Sequence, residues 1–216
     1  MDDKKWEKYA ALGGVLFVVL NIIGSVAMGS PPQTDDSNVK ILEWFVDKES
    51  GIKLALFLGG LSVIALLWWF GSLWRRMSTA EGGRNRLSVV AFAGLVGSGV
   101  AWMTSSAIQG AVAFRTDDLG EAVGFFYMLS IAMMGVAGFF VATHLIAVNV
   151  LAMRTKMLPA WNTYLGLLAA LGFLVSTFGT LSESSALMAI GMISFLVWAL
   201  WIIVVSLHMW RTADTA

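Results

Sequence analysis

A chain of 216 residues with 58% hydrophobic residues, ten Trp, three Pro and no Cys is too apolar for an ordinary soluble domain. The missing cysteines exclude disulfides, thiolate metal sites and cysteine nucleophiles. A formal net charge of zero says nothing of partners in total, so the charges have to be read by position.

Six long apolar runs, at about residues 9–29, 52–74, 87–113, 122–150, 161–181 and 185–208, each reach or exceed the ~20 residues that cross ~30 Å of hydrocarbon. Their apolar interiors hold no Asp, Glu, Lys or Arg, which removes the usual marks of ion pumping, proton relay and hydrolytic chemistry. The expected fold is all-α: one domain over residues 1–216, a polytopic membrane bundle of six transmembrane helices.

Lys4 and Lys5 precede a first run that ends in the small residues Ser25, Ala27 and Gly29, a pattern shared with secretory signals. The run is long for a signal core, so it is expected to stay as a span. Pro31 and Pro32 then stop the helix, and Asp35, Asp36 and Ser37 offer caps. Val39, Leu42, Phe45 and Val46 recur at helical spacing, with Lys40, Glu43, Asp47 and Lys48 on the other face. A short amphipathic helix in the first outer loop is expected, with Trp44 near the headgroups. It serves as an interfacial anchor or, through Trp44 and Phe45, as a lid over an outer pocket.

The loop Met77 to Arg86, with Glu81-Gly82-Gly83 and Arg84, lacks the strand and the G-x-x-x-x-G-K-[ST] spacing of a phosphate loop and reads as a flexible connection. The loop from Arg154 ends at Leu158-Pro159, and Trp161 fits an aromatic belt. Trp6, Trp68, Trp69, Trp74, Trp198, Trp201 and Trp210 gather towards the same face, and a belt accounts for most of them.

With the N-terminus cytoplasmic, the inner segments hold ten of the fourteen Lys and Arg, among them Lys4, Lys5, Lys8, Arg75, Arg76, Arg84, Arg86, Arg154, Lys156 and Arg211. The outer segments hold Lys40, Lys48, Lys53 and Arg115 together with nine of the fourteen acids. The positive-inside rule then places both termini in the cytoplasm.

Polar residues inside the spans concentrate in the outward halves of the odd ones: Asn21 and Ser25 in the first, Thr104, Ser105, Ser106 and Gln109 in the third, Ser176, Thr177 and Thr180 in the fifth. If the odd helices meet, these side chains line one neutral, outward-facing pocket. The competing reading is that hydroxyls and amides join neighbouring helices or bond back to their own backbone. His144 is the imidazole deepest in a span, ~15 Å of helix rise from Arg154, whereas His208 lies ~4.5 Å from Arg211. That depth difference argues against a metal or haem shared by the two. His144 is expected to be a neutral, hydrogen-bonded interior residue, with a protonation switch as the sharper alternative. Gly94, Gly97, Ser98, Gly99, Gly135, Gly138, Gly166, Ala170 and Gly172 mark close helix packing.

Pro31-Pro32 followed by acids, the Glu81-Gly82-Gly83 loop, and Arg154-Thr155 with Leu158-Pro159-Ala160-Trp161 and then Gly166 resemble uncharacterised six-helix membrane proteins of high-GC Gram-positive bacteria, members of domain-of-unknown-function families. The resemblance covers most of the chain and departs from the pattern at Ala160, where a basic residue is usual, and at Asn162. It implies the fold and a bacterial cytoplasmic (inner) membrane, and it carries no activity.

The leading expectation is a non-enzymatic protein that binds a small neutral or amphiphilic ligand, lipid included, in the outward pocket, or that acts as an accessory or sensor subunit. The alternative is a small uncoupled transporter or channel, which needs a continuous polar path. An intramembrane enzyme has the least support, with Tyr127, Tyr164 and His144 its only candidates. Expected partners are the bilayer, a lipid or amphiphile, and a second copy or another membrane protein. No nucleic acid, metal or cofactor is expected.

Overall fold

The computed structural model describes residues 3–181 and 184–213; Asp2, Glu183 and Asp214, three of the fourteen acids counted above, lie outside them. In chain order the helices are α1 (Asp3–Met28), α2 (Asn38–Asp47), α3 (Glu49–Ala80), α4 (Arg86–Phe114), α5 (Thr116–Leu119), α6 (Ala122–Thr155), α7 (Ala160–Leu181) and α8 (Ser185–Thr212). Among the described residues there is no strand. Six of these helices, α1, α3, α4, α6, α7 and α8, are long and apolar enough to cross a membrane, which makes this a multi-pass membrane protein.

The helices overrun the apolar runs that announced them. α3 has 32 residues and α6 has 34, so α6 rises ~51 Å against a hydrocarbon core of ~30 Å. A helix satisfies its own backbone hydrogen bonds and has no reason to stop where the lipid does. Arg75, Arg76 and Arg154 therefore sit on helix, in final turns that extend beyond the apolar stretch.

The six spans form a closed ring in chain order. α1 packs on α3, α3 on α4, α4 on α6, α6 on α7, α7 on α8, and α8 returns to α1; α3 also touches α6 across the ring. Packing is tight where glycine allows it. A Cβ on Gly94 of α4 would stand 2.7 Å from the backbone nitrogen of His144 and 2.8 Å from the carbonyl of Phe140 on α6. A Cβ on Gly13 of α1 would stand 2.5 Å from the carbonyl of Ala65 on α3. Such approach is how membrane helices gain packing energy where lipid tails are as apolar as the side chains.

The middle of the ring is filled by aromatic rings. Phe17 meets Trp102 at 6.2 Å and Trp198 at 5.4 Å, and Trp69 meets Trp201 at 6.1 Å, all edge to face. Trp69, Trp198 and Trp201 are fully buried, so they are core and not belt, contrary to expectation. Sequence depth places a Trp near a face, but whether it points to lipid or to the axis depends on helix rotation. Trp6, Trp68 and Trp161 are exposed at the same end, as belt residues are.

Two loops also differ from expectation. α2 buries Ile41, Trp44 and Phe45 against Val112, Ala113, Val123 and Tyr127, while Val39 and Val46 are 66% and 54% exposed. The docked face is thus turned from the Val39, Leu42, Phe45, Val46 face, because the largest side chains on the helix win the contact with the bundle. Trp44 lies in that contact. Ser37 Oγ caps α2 by accepting from Lys40 N, the Tyr127 hydroxyl donates to the carbonyl of Pro32 at 2.5 Å, and Asn38 Nδ2 donates to the carbonyl of Glu121 at 3.3 Å. The Glu81-Gly82-Gly83 loop is a built cap. The carboxylate of Glu81 accepts from Leu87 N at 2.8 Å, Ser88 N at 2.9 Å and Ser88 Oγ at 2.5 Å, covering the start of α4. Gly82 and Gly83, at φ of 63° and 81°, supply the left-handed turn that brings Glu81 back onto that helix.

Candidate functional site

The two ends of the ring carry different chemistry. The start of α1, the 81–85 loop, the 156–159 loop and the end of α8 form a basic end; α2, α5 and the start of α8 lie at an acidic end. The nine residues expected to line one pocket lie in the acidic half and do not converge. α1, α4 and α7, which carry them, pack mainly on other helices, although Phe17 of α1 meets Trp102 of α4 across the ring. Asn21 Nδ2 donates to the carbonyl of Phe17 at 2.8 Å, Thr104 Oγ1 to that of Val100 at 2.8 Å, and Thr180 Oγ1 to that of Ser176 at 3.3 Å, all on their own helices. Ser105 Oγ donates to the carbonyl of Ser130 at 2.8 Å and Gln109 Nε2 to the hydroxyl of Ser130 at 3.2 Å, tying α4 to α6. Ser176 Oγ reaches Met188 O on α8 at 3.3 Å, and Thr177 Oγ1 reaches Gly135 O on α6 at 3.0 Å. Ser25 is exposed. The polar side chains act as helix-to-helix ties and back-bonds, which is the competing reading given above.

The candidates for intramembrane chemistry are equally dispersed. Tyr127 is held to Pro32, Tyr164 is 66% exposed on the outer face of α7, and His144 is fully buried on α6. Among the described residues no three His, Asp or Glu side chains come together in a group that could hold a metal ion. Trp44 and Phe45, the expected lid, rest on Tyr127 with ring centroids 6.2 Å away in each case.

His144 is the centre of a second polar group, in the half nearer the basic end. Its Nδ1 lies 2.9 Å from the carbonyl of Ala91 on α4; a carbonyl only accepts, so Nδ1 carries the proton and Nε2 of the neutral ring is an acceptor. One turn on, Asn149 Oδ1 accepts from Trp201 Nε1 at 3.2 Å while its Nδ2 donates to Leu145 O at 2.8 Å. The Phe70 and Trp201 rings flank the imidazole at 5.4 and 6.1 Å.

A groove of about 450 Å³ opens at the basic end, on the outside of the α1–α3 pair. Trp6, Glu7, Leu67, Trp68, Gly71, Ser72 and Arg75 line it. Trp6 and Trp68 meet edge to face at 5.0 Å, and Arg75 Nη1 bonds Glu7 Oε1 at 3.0 Å. Gly71 leaves the floor open, since a Cβ there would have nothing within 4 Å. Arg76, the next residue, turns the other way: its Nη1 donates to Thr212 Oγ1 at 2.6 Å and its Nη2 to Met209 O at 2.9 Å, where it faces the negative end of the α8 dipole. The pair Arg75-Arg76 thus splits into one arginine for the groove and one for the scaffold. Sequence reasoning missed this groove because Trp6 and Trp68 are far apart in the chain. The available signal was a Trp at each of two antiparallel helix ends beside a basic pair.

A family model described as Domain of unknown function (DUF4386) matches residues 12–206, and the chain belongs to that family. No curated protein and no solved structure matches the chain.

Proposed function

We propose that this DUF4386 member is a non-enzymatic protein of the bacterial cytoplasmic membrane, with both termini inside, that binds a phospholipid-like amphiphile in the Trp6–Trp68–Arg75 groove. The observation that carries the reading is the groove's composition. An apolar wall of Leu67 and two tryptophans continues into an Arg75–Glu7 pair at the basic end of the spans. An acyl chain fits the first part and an anionic headgroup the second, because indole rings favour the boundary between hydrocarbon and water and a guanidinium holds a phosphate with two parallel donors.

Charge supports the orientation and the occupant together. The basic end carries most of the lysines and arginines, which is the side expected to face the cytoplasm and its anionic leaflet. α2 would then cap the outer surface. The aromatic filling of the ring favours binding at the periphery over a solute path through the centre. A role as an accessory or sensor subunit is compatible with this binding, because an occupied groove changes the surface that a partner meets.

Native mass spectrometry of the full chain in mild detergent, titrated with anionic and zwitterionic phospholipid, tests the proposal. One anionic lipid should bind per chain, and Trp68→Leu with Arg75→Gln should weaken it at least about tenfold, the scale of one charge-assisted contact plus one aromatic face. Lipid occupancy that is the same in the variant would remove the groove from the account.

A further inference from the structure

We infer that the core of the basic half is a hydrated site, in which ordered water bridges the His144 imidazole to Trp69, Ser206 and Asn162. Each of these side chains is essentially without solvent exposure, yet Trp69 Nε1, His144 Nε2, both polar atoms of Asn162 and Ser206 Oγ have no hydrogen-bond partner in the protein. So many orphaned polar atoms in one half of a membrane core are unusual, since buried polar groups elsewhere are almost all paired.

Close approaches link Trp69, Ser206 and, through Trp201, His144, and Asn162 lies at their level on α7. Trp201 is the hub, with its ring 6.1 Å from His144 and 6.1 Å from Trp69, and its own Nε1 already given to Asn149. A Cβ on Gly14 would collide with both Ser206 Oγ and Trp69 Cδ1, the carbon bonded to the free indole nitrogen, so these two border one point. A Cβ on Gly166 would likewise collide with Asn149 Nδ2 and Trp201 Nε1, which sets the level of α7 against α8. Asn162 lies one turn beyond Gly166, and Ser206 just over one turn beyond Trp201, both towards the basic end of this antiparallel pair. Arg76, whose Nε is also without a partner, closes that end between α3 and α8.

The chemistry is complementary to water. Trp69 Nε1 only donates, His144 Nε2 only accepts, and the Asn162 amide and Ser206 hydroxyl do both. Water supplies two donors and two acceptors and satisfies all four kinds at once, as buried waters typically do with about three bonds each. The groups that face the imidazole are uncharged: α3 presents Phe70, α4 the Ala91 carbonyl and α8 Trp201.

The chain has two histidines, so ¹⁵N-histidine labelling of the full protein in lipid bilayers gives two ring systems, which His208→Gln assigns. Water-edited solid-state NMR then reads whether magnetisation passes from mobile water to each nitrogen. The expected result is an acceptor-type His144 Nε2 signal that builds up from water within a factor of about three of His208, because a bridging water lies at hydrogen-bond distance. Trp69→Phe, which removes the indole N–H, should slow the His144 build-up. A His144 Nε2 that receives nothing from water on the timescale at which His208 has equilibrated would overturn the hydrated site, and so would a build-up that Trp69→Phe, Ser206→Ala and Asn162→Leu all leave unchanged.

Discussion

The acidic and basic halves of the bundle hold their polar residues in opposite ways. In the acidic half, seven of the nine expected pocket residues donate to a carbonyl or hydroxyl on their own or an adjacent helix, while Ser25 is exposed and Ser106 half-buried. In the basic half, Trp69, His144, Asn162 and Ser206 are fully buried, and polar atoms of each find no protein partner. Trp44 Nε1 at the acidic end and Trp198 Nε1 at mid-span are also without one. A count of polar residues therefore does not separate the halves, whereas their hydrogen-bond partners do. What marks a site in a membrane core is polar capacity left unused, because used capacity is already committed to packing.

The sharpest way to break this comparison is to strain the scaffold both halves share. Gly94→Val forces a branched side chain into the α6 backbone beside His144 and should cost about 3 kcal/mol, read as a lower midpoint in thermal unfolding in detergent. Gly59→Ala, on α3 where a Cβ meets nothing within 4 Å, should be neutral or stabilising by about 0.5 kcal/mol. If the two substitutions cost the same, the ring packing described here is wrong.

The next effect separates the halves directly. Asn149→Ala leaves Trp201 Nε1 without its acceptor in a fully buried position and should cost about 2 kcal/mol. Gln109→Leu removes a single tie to Ser130 and should cost about 0.6 kcal/mol, typical of interhelical bonds in membranes. Steric-trap unfolding of both variants in bilayers measures the difference, and a reversed order would contradict the contrast between the halves.

A smaller effect belongs to the Glu81 cap. Slight burial pushes its carboxyl upwards, but the bonds from Ser88, Leu87 and Arg86 outweigh it and hold the group below the ordinary glutamate value. A folded value below the unfolded one means stability that is present above the unfolded value and is lost as pH falls through the folded one. Glu81→Gln should thus lower the unfolding midpoint at neutral pH by a cap's worth, about 1 kcal/mol, with the gap closing in acid. A gap that is constant across pH would show that charge has no part in the cap.

The fold was largely legible because its signal is long and redundant. Each span repeats the same message over twenty or more residues, so errors of a few positions at Ala80 or Thr155 leave the architecture intact. Rotation about each helix axis was not legible, since the spans are apolar on nearly every face and give no stripe to orient them. That is why Trp69, Trp198 and Trp201 were assigned to a belt and Val39 and Val46 to a buried face. Contacts between helices follow from rotation, so a pocket that required α1, α4 and α7 to meet rested on the least readable quantity. The groove was hidden for the same reason: Trp6 and Trp68 become neighbours only once α1 is docked on α3.

The central claim is that the ligand-bearing surface lies at the basic end, on α1 and α3, and not among the polar residues of the acidic half. A photoreactive anionic phospholipid, crosslinked to the full chain in nanodiscs and mapped by peptide mass spectrometry, tests it most directly. Crosslinks should concentrate near Trp6 and between Leu67 and Arg75, diminish in Trp68→Leu with Arg75→Gln, and stay unaffected in Asn21→Leu with Gln109→Leu. Crosslinks concentrated around Asn21, Gln109 and Thr180, and lost in the second variant, would contradict it.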